Sequence, residues 1–267
     1  MSQEFGSVFK VFIKPNSRLP MVEPANGQLN LIRGYGIEGD TNSDAFSPRQ
    51  VLFTRYEDLD DFKIRPGELR ENIVLKSISA SSFVPGALIR IGESVQIRLT
   101  LHCEPCKRIG HLVRSLKEIE GKRGILGVVL ADGEAKIEDP VYITPNVFPP
   151  LSPIPYQRFL AFISQIPCGK VVTYKQVVKG MGVAESYIRA MPGYIQKTSP
   201  STYPVHRIVD TEGSLLIDYI PGQKEMLSDE KVTVVHERDL FNTDDKYLVD
   251  VDKHGWTNSN LYLVDIG

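Results

Sequence analysis

A mostly β barrel with a few helices, followed by a small α domain of the winged-helix, helix-turn-helix type, is the architecture this sequence predicts. Three observations lead there. Short stretches of alternating apolar and polar residues, punctuated by Gly and Pro, fill residues 1–144. The apolar spacing then changes from two to 3.6 after Tyr156. Between the two regions lies Pro145-Asn146-Val147-Phe148-Pro149-Pro150-Leu151-Ser152-Pro153-Ile154-Pro155, dense enough in proline to read as a stiff connector holding two domains at a fixed spacing. The expected organisation is a barrel domain over 1–144, a linker over 145–155, a winged-helix domain over 156–235 and an acidic extension over 236–267.

In the first region, Val95, Ile97, Leu99 and Leu101 alternate with Gln96, Arg98 and Thr100, the pattern of a half-buried strand. Asp132-Gly133, between an apolar run and Glu134-Ala135-Lys136-Ile137, predicts a tight hairpin. One helix is expected among the strands, with Ile109, Leu112, Val113 and Leu116 on one face and Gly121 past its end.

In the second region, Tyr156, Phe159, Leu160 and Ile163 form the stripe of an amphipathic helix stopped by Pro167 and Gly169. Thr173 followed by Gln176 reads as a capping box, opening a short helix that ends near Gly180-Met181-Gly182. A second helix is expected from Ala184 to Gln196, interrupted or ended by Pro192. Two helices joined by a glycine-containing turn outline a helix-turn-helix, whose second helix can enter a DNA groove. In the extension, Asp244, Asp245, Asp250 and Asp252 are interleaved with Tyr247, Leu248, Val249 and Val251. An added strand, an electrostatic cover and disorder all remain open for it.

At 267 residues two cores of ordinary size can form. A net charge of −2 gives no global steering toward nucleic acid or membrane. Three cysteines argue against a disulfide scaffold and for a reducing compartment. With no basic-then-apolar leader and no run long enough to span a bilayer, a cytoplasmic location is expected.

Tyr203-Pro204-Val205-His206-Arg207 resembles the Pro-Cys-His-Arg signature of the O6-alkylguanine-DNA alkyltransferases, with valine in place of the cysteine. The order of Gly169-Lys170-Val171-Val172-Thr173-Tyr174, Arg189-Ala190, Ile208-Val209, Gly213, Tyr219 and Gly222 matches as well, over roughly residues 151–235. The resemblance implies that Tyr174 crowds a backbone phosphate and that Arg189 fills the space an extruded base leaves. It puts His206 and Arg207 in the DNA-binding set, His206 and Glu230 as the remnant of the relay that activates the missing thiol, and Pro204, Val205, Tyr219 and Glu230 around the base pocket. Ser199-Pro200 stands where the family usually has Asn-Pro.

Alkyl transfer needs a soft nucleophile, and valine has neither lone pair nor ionisable proton. Suicide transfer at position 205 is therefore excluded. Base extrusion costs a few kcal/mol, least at a damaged pair, so a pocket without chemistry can still select lesions. The cysteine-free relatives, the alkyltransferase-like proteins, imply a damage flag for repair. Residues 151–235 carry only a slight excess of Lys and Arg, so weak, salt-sensitive DNA binding is expected. Cys168 reads as a small buried hydrophobe rather than a substitute nucleophile.

The first region carries a second resemblance. Gly36-Ile37-Glu38-Gly39-Asp40, Arg49-Gln50-Val51-Leu52-Phe53, Arg65-Pro66-Gly67-Glu68-Leu69-Arg70-Glu71-Asn72-Ile73, Pro85-Gly86-Ala87-Leu88-Ile89-Arg90-Ile91-Gly92 and Glu104-Pro105-Cys106 resemble a MOSC domain over about residues 5–144. Two departures stand out: Thr41-Asn42-Ser43 where the family often has a histidine, and Asp139-Pro140 in place of a late Gly-Asp. The resemblance implies a molybdenum cofactor (molybdopterin), or sulfur carried on Cys106, with Arg49, Asn72, Cys106 and Lys107 at the site.

A thiolate flanked by Lys107 and Arg108 at a helix start has its charged form favoured. His102, Cys103, Cys106 and His111 also have the makings of a metal site, but His102 and Cys103 adjoin in an expected strand and face opposite ways. Cys103 is expected to be buried. The preferred reading is lesion recognition by the second domain with a sulfur-carrying or cofactor role for the first. The alternative is a molybdenum-dependent reductase component or sulfurtransferase, with a redox or sulfur-transfer protein partner and a second domain that only docks.

Overall fold

A computed structural model describes residues 4–237, 246–257, 262 and 263. It divides into two units, 1–151 with 259–267, and 152–258.

The first unit is a closed barrel. Its strands are β1 (Glu4–Val11), β4 (Val51–Arg55), β5 (Ile73–Lys76), β6 (Leu88–Ile91), β7 (Val95–His102), β8 (Ile125–Ala131) and β10 (Pro140–Thr144), in the order β1-β10-β6-β7-β8-β4-β5. All neighbours are antiparallel except β4 and β5, which the helix α1 (Tyr56–Phe62) connects in parallel. Val8, Phe53, Ile73, Leu75, Ile89, Ile97 and Ile143 close the interior. A second sheet, β3-β2-β9, is built from β2 (Gln28–Ile32), β3 (Gly36–Ile37) and β9 (Gly133–Lys136).

Four expectations for this unit change. Asp132-Gly133 makes no hairpin: β9 leaves β8 and pairs with β2. The Asp132 carboxylate instead accepts the Arg33 backbone N–H at 2.5 Å, and any side chain at 133 would meet Ser94. The dipeptide signals a tight path, not which strand lies beside it. Along β7, Arg98 and Thr100 are buried rather than exposed. The Thr100 hydroxyl donates to the Pro48 carbonyl at 2.6 Å, and Arg98 reaches the Pro149 carbonyl at 2.8 Å with its guanidinium 5.2 Å from the Phe148 ring. The expected connector thus begins as part of the barrel, since Phe148 also donates to Gly86, a glycine with φ +89° whose missing Cβ leaves room for the Phe148 backbone.

The expected helix after Cys106 is only the 3-10 turn Lys107–Ile109 followed by further turns. Gly110 arrives too early for a nucleus to propagate. Even so, Leu112, Val113 and Leu116 pack against buried Ile109 and Ile119, so the apolar stripe was a true core signal without a continuous helix.

The second unit opens with α2 (Pro155–Ile163), which buries Arg158, Phe159, Phe162 and Ile163. Phe162 replaces half-buried Leu160 at the centre of the predicted stripe. The Arg158 guanidinium donates to the Met181 and Ser152 carbonyls, each at 2.7 Å. The short strand β11 (Val172–Thr173) leads into α3 (Tyr174–Gly180), and the Thr173–Gln176 capping box is present in full.

The second helix of the pair is broken. Glu185–Ala190 is a 3-10 turn, and α4 (Met191–Gln196) begins afresh with Pro192 in its first turn, where a missing N–H costs nothing. After the 3-10 turn Val205–Arg207, β12 (Ile208–Val209) pairs in parallel with β11, and α5 (Gln223–Asp229) follows.

The open question about the extension resolves for its described part. The strand β13 (Val234–Glu237) pairs with β14 (Lys246–Val249), and α6 (Val251–His254) is capped by the Asp250 carboxylate. Trp256 is buried 5.8 Å from the Phe162 ring, and its backbone N–H donates to the Val171 carbonyl, while the Val171 N–H donates to the His254 carbonyl. Asp244 and Asp245 lie outside the described residues. No helix among the described residues is long and apolar enough to cross a membrane.

Candidate functional site

The signature turn of the second unit is held from three sides. The parallel pair β11–β12 ties Ile208 to Val172 and so sets Tyr174 beside the turn. Fully buried Gln223 donates to the carbonyls of His206 at 3.0 Å and Ile208 at 2.8 Å, and accepts from the Leu216 N–H. Glu230 supplies the third tie. Its carboxylate accepts Nε and Nη2 of Arg207 at 2.6–3.0 Å, the Gly169 N–H at 3.0 Å, and lies 2.8 Å from Nε2 of His206.

Burial opposes ionisation of Glu230, but the Arg207 fork, the Gly169 N–H and His206 outweigh it and hold the carboxyl down at about 2. The Arg207 Nη1 is spent too, on the Ile166 carbonyl at 2.5 Å.

Arg207 and His206 therefore leave the DNA-binding set that the signature implied. Both are turned into the unit, and Arg207 is a clamp on Glu230 rather than a phosphate contact. The His206–Glu230 geometry survives, yet Nδ1 of His206 is buried without a partner. Val205 is 0 % exposed, so it packs as core and offers no wall to a base. Glu230 likewise belongs to the clamp.

Tyr174, Arg189, Pro204 and Tyr219 remain. Arg189 is exposed on the 3-10 turn and makes no hydrogen bond or ion pair among the described residues. The Tyr174 hydroxyl is buried without a partner, and burial, followed by Tyr219 and Asp210, raises its phenol above the usual range. Tyr219, facing it electrostatically, is 38 % exposed.

In the barrel unit, Cys106 is half-buried and precedes a three-residue turn too short to carry a useful dipole, so a helix terminus does not favour its thiolate. The cation whose field meets it is Arg70, which the sequence did not single out, and Arg108, which it did, acts on Arg70 in turn. Burial, then Arg108, push the Arg70 guanidinium down, and Cys106 and Arg123 also act on it. Burial, then Arg70 and Arg108, lower the Lys14 ammonium, which donates to the Leu19 carbonyl at 2.6 Å.

Arg123 is buried; one guanidinium nitrogen donates to the Glu104 carbonyl while Nε has no partner. None of these four side chains forms an ion pair among the described residues. Such a cluster costs stability unless an anion completes it.

Asn72 belongs elsewhere. Its amide donates to Asp40 at 2.9 Å and Phe12 O at 3.3 Å, and its carbonyl accepts the Leu52 N–H at 3.0 Å, which leaves nothing for a ligand. Arg49 acts on Cys103, and Lys107 is exposed. Cys103 is buried, and burial raises its thiol. His102, Cys103, Cys106 and His111 do not gather into a metal-ligand cluster.

Sequence reasoning missed Lys14 and Arg123, whose chain positions lie far from Cys106. Arg70 was inside the quoted motif, but only its left-handed backbone, φ +67°, marks it as singular.

Two family models match the chain. The MOSC domain model covers residues 48–142, and the model described as 6-O-methylguanine DNA methyltransferase, DNA binding domain, covers residues 155–232. The chain joins a MOSC domain to an alkyltransferase-like DNA-binding domain.

Among solved structures, the YuaD protein from Bacillus subtilis is 16% identical at a TM-score of 0.47, covering 53% of this chain and 97% of its own. Atl1 from S. pombe, in complex with damaged DNA containing O6-carboxymethylguanine, is 24% identical at 0.33, covering 38% of this chain and 94% of its own. YiiM from Geobacillus stearothermophilus is 10% identical at 0.41, covering 84% and 98%. No curated protein matches the chain.

Proposed function

We propose that the alkyltransferase-like domain recognises an alkylated or otherwise modified base in DNA without removing the modification, and that the MOSC domain holds an anionic ligand beside Cys106. The observation that carries the first part is the division of charge at the signature. Arg207 and His206 are consumed by Glu230, whereas Arg189 stays exposed on the turn a groove would receive. Val205 supplies no nucleophile, so recognition ends in a bound complex. With only a slight excess of cations in this domain, affinity rests on base extrusion more than on phosphate neutralisation and falls with salt only in proportion to the few phosphates neutralised.

Cys106 with Lys14, Arg70, Arg108 and Arg123 suits a soft metal centre borne by an anionic cofactor, or a persulfide carried on the thiol. A molybdenum cofactor, when bound, would supply two-electron redox chemistry. Arg70 and Arg108 would hold its anionic groups, and half-buried Cys106 would face its metal.

The test is fluorescence anisotropy with duplex DNA, with and without one O6-alkylguanine, at two salt concentrations. The expected result is lesion-selective binding that weakens with salt and disappears in Arg189→Ala. Binding blind to the lesion would remove the reading. For the barrel, molybdenum or labile sulfur retained by the native protein and lost in Cys106→Ser supports the second part. Retention in that variant speaks against it.

A further inference from the structure

Glu71 lies between Arg70, beside Cys106, and Asn72, locked to Asp40, Phe12 and Leu52. It is 0 % exposed. One carboxylate oxygen accepts the Gly67 N–H at 2.7 Å, and the other is buried with no partner. Gly67 has φ +92° and sits where a side chain would press on the Phe12 ring, and Arg70 is itself left-handed. The segment 65–72 is therefore tightly turned around one carboxyl group whose ionised form is incompletely compensated.

We propose that Glu71 is a positioning residue for Arg70, its proton setting how firmly the 65–72 turn holds that guanidinium against Cys106. The inference rests on reading Cys106 as the reactive centre of the barrel.

The charges around Glu71 leave the ionised form unsupported. No lysine or arginine pairs with it among the described residues. Glu68, whose field reaches it, is another carboxylate, held by Arg65 at 2.9 Å and influenced by His111. Burial pushes the Glu71 carboxyl up to about 6, and the amides of Gly67, Glu71 and Leu69 only partly offset this. Below that pH the neutral acid fits the turn. Above it a buried charge with one orphan oxygen loosens the turn and draws Arg70 away from Cys106. A rise from 4.5 to about 6 bounds the effect at roughly 30-fold.

The experiment follows alkylation of each cysteine by iodoacetamide, resolved by peptide mass, from pH 5 to 8 in the full chain and in Glu71→Gln. Cys168, exposed at the turn before Gly169 rather than buried as expected, serves as the internal reference. Cys106 is expected to react alike in the two proteins at pH 5, and severalfold more slowly in the native chain above pH 7, while Cys168 does not distinguish them. Parallel Cys106 profiles overturn the proposal.

The thermal midpoint of both proteins is read over the same range. If Cys106 reacts in neither, its reading as the reactive centre fails and the coupling to it fails too. Midpoints that still diverge above pH 6 then keep Glu71 as a control of the turn alone, and midpoints that run parallel remove that as well.

Discussion

Glu71 in the barrel and Glu230 in the second unit are both withdrawn from water, and their surroundings push them in opposite directions. Glu230 collects a guanidinium fork, a backbone N–H and an imidazole, and is held ionised. Glu71 collects only backbone amides and leaves one oxygen unpartnered. The cations follow the same division. In the second unit Arg207 is paired and mostly withdrawn from water, whereas in the barrel Arg70, Arg108 and Arg123 form no ion pair among the described residues and Lys14 meets only the field of Asp40. Charge spent internally builds a scaffold, and charge left unspent is available to a ligand. The signature that looks most like a functional motif is therefore mostly architecture, and the less conspicuous cluster in the barrel is the better-equipped site.

The sharpest way to break this contrast is Arg207→Ala. Removing one partner of a buried pair strands the other, at a cost of about 3–5 kcal/mol. Trp256, the only tryptophan in the sequence, lies in the second unit, so its fluorescence should report a much earlier unfolding transition there while the barrel transition stays in place. An unchanged Trp256 transition would mean Arg207 is not a clamp.

Acid probes the same cluster with a smaller effect. The Glu230 pKa is depressed on folding, so its contribution is complete above pH 4.5 and is lost as pH falls through about 2. At most about 3 kcal/mol is involved. Denaturant titrations at pH 5 and pH 2.5 should converge for the native chain and Glu230→Gln as the pH falls.

Glu71 has the reverse sign. Its raised pKa means full stability below pH 4.5, with a loss as pH rises through about 6. Glu71→Gln should stabilise the barrel by up to about 2 kcal/mol at pH 7.5 and leave it unchanged at pH 4.5. A midpoint that is no higher at pH 7.5 would show that the ionised carboxylate is compensated.

The smallest effect is expected at Tyr174. Removing its partnerless buried hydroxyl in Tyr174→Phe should cost nothing and gain up to about 1 kcal/mol. Weaker DNA binding by the same variant would show that the hydroxyl is kept for a phosphate rather than for the fold.

Much of the architecture was legible because it is written locally. The Thr173–Gln176 capping box, the break at Pro192 and the apolar faces of β7 and α2 depend on residues within a turn or two of each other. The failures are long-range. Asp132-Gly133 carries a true turn signal, but the partner of β9 is β2, more than a hundred residues earlier. The apolar stripe after Cys106 marks burial correctly and helix wrongly, because Gly110 halts propagation.

Site residues divide in the same way. The motif singled out Cys106, which is half-buried, and Arg189, which is exposed, along with Tyr174, whose hydroxyl is buried. It also assigned Arg207 and Asn72 to ligands when their hydrogen-bonding groups are consumed inside the protein. No spacing rule announces that Lys14 and Arg123 share the electrostatic surroundings of Arg70, whose field reaches Cys106.

The central claim, recognition without transfer, is tested most directly by one competition. The native protein is mixed with labelled duplex carrying a single O6-benzylguanine and challenged with undamaged duplex, with the intact protein mass read at equilibrium. The account predicts that undamaged DNA competes poorly and that the protein mass is unchanged. Equal competition by undamaged DNA, or a protein heavier by one benzyl group, would contradict it.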